Sequence, residues 1–508
     1  MNLAHLNIGR TLRIGTLSSF IARGFQLLSA VITIPLIVHA FDGAAGYGIW
    51  VTITAAFALL GLADLGIASG LARLIARSKG KRQPIGNLLK TMLFVEVTAA
   101  FVVLLLTFVL AYFLPSKLGF SSEDDALVRH AILIMGFATA LSMPLRLGIP
   151  VLTGHQYYGL HLIGDTLKSI LSLLGIVGIS YWSSLDYRSL AAVSSVAILL
   201  GSFTGFFLAR RISGPWYLFK SKTDKRLLRI GLDLGWASLV VTASVAISLQ
   251  GTTLALGIYG EPEWAGIWGL AIFVVAQVSH LGASLTAPIT TLAAQLEAQR
   301  NAEHLKSTLK NVSLFIAAIV SLLTVAVAVF GPAFVVFILP TVDQAGQTTG
   351  LISVLTSLLT ALALTLPVIP MRSFLLGTRK HWSVARWSFA SSIAGVVTLF
   401  ATIPVLQIWG AVLSRWVFVI IPAIGLYAPV MKVMLGNKSR YFLIMFIGIL
   451  LWPAFSGWIV WMLGLTYHTS YIDFFLGIII YLLLSLTGTL FFIPDFRASL
   501  KRFIHSSN

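Results

Sequence analysis

Long apolar segments, separated by short polar turns, fill most of this chain. Apolar runs of about 20 residues are long enough to cross the hydrocarbon core of a bilayer as helices. The runs predict about fourteen spans, namely 15–39, 45–69, 91–114, 130–152, 158–181, 189–209, 231–258, 264–288, 311–333, 348–370, 382–405, 409–431, 441–464 and 474–494. The pattern therefore predicts an all-α polytopic membrane protein.

The composition agrees with this prediction. Hydrophobic residues make up 57% of the 508 residues and charged residues only 10%, which is typical of membrane spans rather than of a soluble domain. The 43 glycines and 17 prolines fit helices that pack closely and bend. The chain has no cysteine, which excludes disulfides, thiolate catalysis and Cys-ligated metals.

The distribution of positive charge predicts the orientation. A net charge of +18 would suggest nucleic-acid binding in a soluble protein. Here most of the 35 Lys and Arg residues lie on the side of the membrane that holds the N-terminus, and only Lys117, Arg129 and Arg188 lie in loops on the other side. The positive-inside rule then places both termini in the cytoplasm. We expect no nucleic-acid partner.

Two sequence matches indicate an internal duplication. Gly48-Ile49-Trp50 recurs 218 residues later as Gly266-Ile267-Trp268, and Met143-Pro144-Leu145-Arg146 recurs in the same order as Ile369-Pro370-Met371-Arg372. The repeat unit would be six spans, and an even number makes the two copies parallel, as two lobes around a central cavity. The predicted domains are an N-terminal lobe at 1–210, a basic cytoplasmic linker at 211–230, a C-terminal lobe at 231–431, and two further spans with a cytoplasmic tail at 432–508.

Charged residues inside the predicted spans are the candidate functional residues. A charge at the centre of a spanning helix costs about 2.5–3.5 kcal/mol, so it persists where it faces protein, pairs or lines a wet cavity. The charges in or near spans are Arg23, Asp64, Glu96, Arg146, Asp165, Lys168, Asp233, Arg372, Arg386 and Arg415. All except Arg415 fall in the cytoplasmic half or near the midplane. The slight excess of cations predicts a vestibule that suits an anionic headgroup, since arginine bonds phosphate with a planar fork.

Structural roles are the alternative for several of these charges. Asp165 and Lys168 lie on one helix face and can form an internal pair. Asp64 can clamp Arg23 on the adjacent helix, and Arg372 is close enough to the interface to snorkel, as are Asp233 and Arg386. The chain has no Walker loop and no nucleophile elbow, and its loops are too short for a catalytic domain. We therefore expect a protein that is not an enzyme and that holds no cofactor or metal.

One motif resembles a known family. Gly46-Tyr47-Gly48-Ile49-Trp50, followed by Leu62-Ala63-Asp64-Leu65-Gly66-Ile67 with Gly70 and Arg73 behind it, resembles the opening of the Wzx-type polysaccharide and O-antigen flippases. These belong to the multidrug/oligosaccharidyl-lipid/polysaccharide exporter superfamily. The resemblance extends loosely along the whole chain, through the number of spans, two six-helix lobes and two extra C-terminal helices.

The resemblance implies a function. Such flippases move undecaprenyl-pyrophosphate-linked oligosaccharide repeat units, of O-antigen or exopolysaccharide, across the bacterial inner membrane by alternating access through a cationic cavity. Carried onto this chain, it implies Arg23, Arg146, Lys168 and Arg372 as cavity residues, Asp64 as the motif carboxylate, and Asp64, Glu96 and Asp165 as candidate coupling carboxylates. Only Asp64 and its neighbouring glycines are assigned by a motif match. The cations are assigned by their predicted depth in the membrane. Implied partners are membrane lipids and a polysaccharide polymerase with its chain-length machinery.

Three other functions stay open. A lipid II flippase of the same superfamily is a close alternative, although its arginine-rich first helix is represented here only by Arg23. A cation-coupled multidrug exporter would need a buried acidic site within one lobe. A membrane-embedded polymerase or ligase would need a large outer loop with catalytic residues. The longest outer segment, 115–130, is too short for such a loop.

Overall fold

The fold is helical throughout the part of the chain that the computed structural model describes, and that part contains no β-strand. Apart from a few isolated positions, the described residues are 8–64, 85–118, 122–155, 157–214, 221–279, 302–344, 346–365, 381–427, 439–465 and 471–492. Contacts divide the chain into two compact units, Met1–Gly266 and Ile267–Asn508.

Among the described residues, ten helices begin in the N-terminal unit. They are α1 (Ile8–Ala40), α2 (Ala44–Leu60), α3 (Gly86–Lys117), α4 (Ser122–Leu145), α5 (Gly148–Gly154), α6 (Tyr158–Trp182), α7 (Tyr187–Ser213), α8 (Lys225–Ala246), α9 (Thr252–Tyr259) and α10 (Pro262–Ser279), the last of which continues past the unit boundary. The C-terminal unit adds α11 (Ala302–Ile338), α12 (Pro340–Gln344), α13 (Thr348–Thr365), α14 (His381–Leu406), α15 (Ile408–Pro422), α16 (Ser439–Met462) and α17 (Tyr471–Phe492).

These helices confirm the predicted polytopic membrane fold. Ten helical segments are long and apolar enough to cross a membrane, and four shorter apolar helices accompany them within the described residues. Each of the fourteen predicted spans overlaps one of these segments. The chain is therefore a multi-pass membrane protein.

Local chemistry shifts some predicted boundaries. The apolar pattern predicts a second span that continues to residue 69, but α2 ends at Leu60 and tightens into a 3₁₀ turn, Gly61–Asp64. Gly66 then has φ +67, a left-handed conformation that ends a regular helix. The fourth span is also interrupted, because α4 contains Pro144 and α5 contains Pro150, and proline lacks the N–H that would continue the helix.

The N-terminal unit is a bundle in which neighbours in space are not always neighbours in sequence. α3 packs on α4, α4 on α7, α7 on α6 and α6 on α1, while α2 contacts α1, α4 and the segment α8–α9. Gly164 on α6 and Gly201 on α7 allow these two helices to cross closely, since a Cβ on either glycine would lie 2.6–2.7 Å from the carbonyl oxygen of the other. Small residues at such crossings are the usual means of packing helices within a membrane.

The C-terminal unit repeats this order of neighbours. In the N-terminal unit the third span packs on the fourth, and the sixth packs on both the fourth and the fifth. In the C-terminal unit the ninth span (α11) packs on the tenth (α13), and the twelfth (α15) packs on both the tenth and the eleventh (α14). This agreement supports the predicted parallel repeat. The predicted boundary at 211–230 stays a prediction, because the contact-based units meet at Gly266.

The last two spans pack on the C-terminal unit itself. α16 and α17 contact each other and α11, where Tyr481 and Val460 are fully buried beside Phe330. The Tyr481 hydroxyl donates a 2.8 Å hydrogen bond to the carbonyl oxygen of Leu322, and the Trp452 indole N–H donates one of 2.8 Å to that of Leu484. These bonds satisfy polar groups that lipid cannot solvate.

The end of the basic linker is attached to α3. The backbone N–H of Lys222 donates to Asn87 Oδ1, and that of Asp224 donates to Thr91 Oγ1, both at 3.0 Å. Asp224 then caps α8 by accepting a 2.8 Å bond from the Arg226 N–H. The start of the seventh span is thereby held against the third.

Candidate functional site

Four charged residues of the N-terminal unit lie at similar depth, and we call Glu96, Arg146, Asp165 and Lys168 the polar layer. Glu96 follows the start of α3 by ten residues and Lys168 follows the start of α6 by ten. Arg146 precedes the end of α5 by eight. At 1.5 Å per residue, these positions are roughly 12–15 Å from the predicted cytoplasmic ends of their helices. The short α5–α6 connection therefore places Arg146 and Lys168 at matching heights.

Arg146 occupies the break between α4 and α5. Its backbone N–H donates to the carbonyl oxygens of Ser142 and Met143, at 3.1 and 3.0 Å, and its own carbonyl accepts from Ile149 at 3.0 Å. The side chain is half-buried, and Nη1 lies 3.5 Å from the place where a Cβ on Gly61 would stand. The guanidinium thus lies against the C-terminal end of α2, where the helix dipole favours a cation.

Lys168 is the exposed cation of the polar layer. Its side chain is exposed although it lies in the interior of α6, and its Cβ is 3.1 Å from the place where a Cβ on Gly201 of α7 would stand. Both Asp165 and Arg146 lie within electrostatic range of its ammonium group. The two cations therefore act on one another, and together they can attract an anion more strongly than either alone.

Asp165 and Lys168 interact without a direct ion pair. Asp165 is half-buried one helical turn before Lys168, and the ion pairs present among the described residues, Arg129–Asp125 and Arg188–Asp186, both lie elsewhere. The internal pair that the sequence offered as a structural alternative is therefore absent from this part of the chain. The side chain of Lys168 is therefore exposed and makes no direct ion pair with Asp165.

Glu96 is the buried carboxylate of the layer. It is only 2% exposed, and it precedes Ala99 and Val103 on the face of α3 that packs against Met143 of α4 and the end of α2. The structure encloses Glu96 among helices. Its burial means that the accessible charges of the layer are Lys168, Arg146 and Asp165.

The other predicted site residues are less completely defined. Arg23 lies in α1 and Asp64 ends the 3₁₀ turn after α2, but both side chains fall outside the described part of the structure, as do Gly70, Arg73 and His280. Arg372 is half-buried and belongs to the C-terminal unit. The roles of all seven predicted site residues stay predictions, and the structure places Arg146, Lys168, Asp165 and Glu96 within the N-terminal unit.

Two features of the site were not predicted. One is Gly201, whose missing side chain leaves room for Lys168. The other is a π-helical turn, Ile247–Gly251, between α8 and α9, which packs on α2 and contains Gln250. Single π turns often occur at functional positions, but apolar residues around them produce no periodicity that a sequence pattern reveals.

The position of Lys168 should depend on Gly201. Replacing Gly201 with alanine would place a Cβ 2.7 Å from the Gly164 carbonyl oxygen and 3.1 Å from the Lys168 Cβ, so α6 must move away from α7. We expect at least a severalfold loss of the transport activity that the sequence resemblance implies, measured by complementation of a flippase-deficient host. Gly205→Ala on the same helix is the matched control, since nothing lies within 4 Å of its Cβ position. Equal activity of the two variants would contradict this role for Gly201.

Comparison with solved structures identifies the fold as that of MOP superfamily transporters. The structure of the lipid II flippase MurJ, in an inward closed conformation, matches with a TM-score of 0.67 and 13% identity over 95% of this chain and 99% of that one. A multidrug resistance MATE family transporter of the MOP superfamily, in an inward-facing conformation, matches with a TM-score of 0.62 and 17% identity over 81% and 98%.

A MOP superfamily transporter from Pyrococcus furiosus, described as having a binding pocket of reversed polarity and therefore a different function, matches with a TM-score of 0.61 and 15% identity over 85% and 97%. No protein-family model and no curated protein sequence matches the chain. At these identities the comparisons establish the fold, and they leave the transported substrate to be argued from the residues of this chain.

Proposed function

We propose that this protein is a flippase that moves undecaprenyl-pyrophosphate-linked oligosaccharide repeat units, of O-antigen or exopolysaccharide, from the cytoplasmic to the periplasmic leaflet of a bacterial inner membrane. It would work by alternating access, with both termini in the cytoplasm. The observation that carries the proposal is the accessible cationic pair in the polar layer, Arg146 and Lys168. These cations lie within the membrane-spanning segments Asp125–Gly154 and Leu162–Trp182 rather than in the loops between spans.

A diphosphate is the ligand that this pair fits best. An arginine fork can bond two phosphate oxygens at once, and an ammonium group adds a compact positive charge. The low dielectric around a partly buried site strengthens both contacts. Because Asp165 offsets one charge, the layer binds an anion without becoming an isolated, strongly cationic site in the membrane.

The polar layer argues against export of cationic drugs. A cationic substrate needs accessible carboxylates, but Glu96 is buried and Asp165 lies beside Lys168. The Pyrococcus furiosus relative is described in terms of pocket polarity and a different function, which supports using the sign of the accessible charge as the criterion. By that criterion an anionic substrate is favoured over a cationic one.

A lipid II flippase is the second candidate. The MurJ structure covers 95% of this chain, more than the 81% covered by the MATE transporter described above. Lipid II is also a lipid-linked saccharide, so the same cationic pair would serve both substrates. The motif around Asp64, which resembles the polysaccharide-exporting branch, is the reason for preferring the O-antigen or exopolysaccharide unit.

Complementation in two hosts separates these functions. One host lacks its own O-unit flippase, and the other is depleted of its lipid II flippase; each receives this chain. We expect restored surface polysaccharide in the first host and no rescue of growth in the second. Lys168→Ala should reduce the restored polysaccharide by about tenfold, which corresponds to the loss of about 1.4 kcal/mol of binding.

The controls use expression and drug resistance. Membrane levels of each variant are compared by immunoblot, and susceptibility to cationic drugs is measured in the same strains. Rescue of only the second host would assign lipid II as the substrate. Increased drug resistance without restored polysaccharide would support the exporter instead, and a host carrying the native repeat unit would then be tested to exclude narrow sugar specificity.

A further inference from the structure

Exposed cations are concentrated at one end of the N-terminal unit, where α7 ends and α8 begins. They are Arg210 and Arg211 in the last turn of α7, Lys222 in the linker, and Lys225, Arg226 and Arg229 in the first five residues of α8. We call this set the basic patch. Asp224 is the one acidic residue within the described segments 206–214 and 221–230 that carry it.

A hydrophobic cluster brings the two helix ends together. Leu89 of α3 and Ala209 of α7 are buried in it, and Ile212 of α7 and Leu227 of α8 pack against it. The last residues of the linker are also hydrogen-bonded to the start of α3, as described above. The cations on both sides of Ile212 and Leu227 therefore lie at the same end of the unit, which the charge pattern assigns to the cytoplasm.

The cations on α8 occupy positions that a helix disfavours for positive charge. The N-terminal end of a helix carries a partial positive charge, so a cation in the first turn is destabilising. Lys225 and Arg226 nevertheless begin α8, Arg229 follows in the next turn, and the first turn contains no acid. Asp224 offsets part of this charge as the helix cap. The positive-inside rule requires cations on this side of the membrane but not in the first turn of a helix, so an external anion explains their placement better.

No ion pair within the described part of the chain neutralises the basic patch. The ion pairs found there, Arg129–Asp125 and Arg188–Asp186, involve none of its members. Exposed like charges on neighbouring helix ends repel one another. An anion from outside the chain would relieve this repulsion.

An exposed apolar stripe on α7 ends at the basic patch. Leu200, Phe203 and Phe207 are 44–54% exposed and recur every three or four residues along one face of this membrane-spanning helix. The rings of Phe203 and Phe207 stack with centroids 6.4 Å apart. Arg210 and Arg211 follow Phe207 by three and four residues, so they continue the same face. An acyl chain that lies along this stripe would place its headgroup beside the two arginines.

From these observations we infer that the basic patch binds the headgroup of an anionic phospholipid of the cytoplasmic leaflet, with an acyl chain along the exposed stripe of α7. Arginine and lysine at this level of a membrane protein attract anionic headgroups, and the arginine fork bonds phosphate oxygens. The bound lipid would join the end of α7 to the start of α8. Arg210 follows Gly201, which lies beside Lys168, by nine residues or roughly 13 Å of helix. The lipid site is therefore separate from the polar layer, and the inference does not depend on the transported substrate.

Thermal unfolding of the purified protein in detergent measures this binding. Phosphatidylglycerol is added to one sample, zwitterionic phosphatidylcholine to a second, and glycerol 3-phosphate, a headgroup without chains, to a third. We expect Tm to increase by several degrees with phosphatidylglycerol only, and native mass spectrometry to show one retained phosphatidylglycerol per protein. An equal increase with phosphatidylcholine would overturn the inference. Stabilisation by glycerol 3-phosphate would also overturn it, because the ligand would then be a soluble phosphate.

A double variant of α8 separates lipid binding from folding. Without lipid, Lys225→Gln with Arg226→Gln should keep or raise Tm, because two cations leave the positive end of the helix dipole. Its affinity for phosphatidylglycerol, measured from the dependence of Tm on lipid concentration, should nevertheless fall about tenfold. Lys117→Gln with Arg129→Gln is the matched control, since it removes two exposed cations on the opposite side of the membrane. An equal loss in both double variants would indicate unspecific attraction and contradict the site.

Variants of α7 test the arginines and the apolar stripe separately. Arg210→Gln with Arg211→Gln should weaken phosphatidylglycerol binding about tenfold, and Phe207→Ala should weaken it severalfold without any change in charge. Phe101→Ala is the control for the stripe, because Phe101 is a similarly exposed phenylalanine on α3, and its affinity should equal that of the wild type. Wild-type affinity in either variant of α7 would place the lipid elsewhere and overturn the inference.

Discussion

Replacing Arg146 with alanine should reduce transport by about 100-fold while leaving the protein folded. Arg146 supplies the only guanidinium in the polar layer, and loss of a charge-assisted, two-bond contact to a diphosphate costs about 3 kcal/mol. The remaining cation, Lys168, would bind the ligand as a single point charge. The measurement is surface polysaccharide in the complemented host, normalised to the amount of protein in the membrane.

The conservative variant separates charge from geometry. Arg146→Lys keeps the positive charge beside the end of α2 but loses the fork, so we expect intermediate activity. Arg129→Ala is the matched control, because Arg129 is exposed and pairs with Asp125 at 2.8 Å near the start of α4. Wild-type activity of a folded Arg146→Ala protein would contradict the assignment. A lowered Tm with unchanged activity per folded molecule would make Arg146 a structural cap of α2.

Gly148→Ala should destabilise the N-terminal unit. A Cβ at this position would lie 2.6 Å from the backbone carbonyl group of Gly205 and from the nitrogen of Phe206. The surrounding core, which includes Leu147, Val151 and Ala209, is fully buried, so any shift of α5 must displace packed side chains. Overpacking of this kind lowers the free energy of unfolding by about 1–3 kcal/mol. Because the atoms that the new Cβ would meet belong to the backbone, we expect a loss near the upper end of this range.

Thermal unfolding of the purified protein in detergent measures this effect. Gly205 faces Gly148 in this contact and supplies the control variant, Gly205→Ala, because nothing lies within 4 Å of the Gly205 Cβ position. We expect a clear decrease in Tm for Gly148→Ala and a change close to zero for Gly205→Ala. Because Gly148 is two residues from Arg146, the destabilised variant should also lose activity. Equal Tm values for both variants would show that α5 tolerates displacement.

The sequence predicted the spans well because the signal is local. A bilayer requires about 20 apolar residues per helix, and such runs can be counted without knowledge of neighbours. It located span ends less well, since α2 ends at Leu60 through the Gly61–Asp64 turn and Gly66. The π turn at Ile247–Gly251 was not predicted either. Its backbone hydrogen bonds have a different spacing from those of an α-helix, but its residues are as apolar as the rest of the span.

The candidate site was predicted only as a set of residue types at plausible depths. Depth along a helix follows from residue number, so the sequence alone assigns Glu96, Arg146 and Lys168 to similar levels of the membrane. The sequence could not tell that Glu96 is enclosed while Lys168 is exposed. That difference depends on which helices lie beside α3 and α6, and those neighbours come from distant parts of the chain.

The sequence by itself determined that the chain is a multi-pass helical membrane protein, and it predicted a repeated unit with charges concentrated at one level of the spans. The length of an apolar run, its composition and the position of a charge along it are local properties. A bilayer requires such a run to fold as a helix, so these properties can be predicted without knowing the neighbouring helices. Tertiary structure alone decided that Gly201 makes room for Lys168, that Arg146 lies beside Gly61 at the end of α2, and that Gly48 and Gly266 meet. Close approach of two backbones depends on which helices pack together, so it cannot be predicted from any one segment of the sequence.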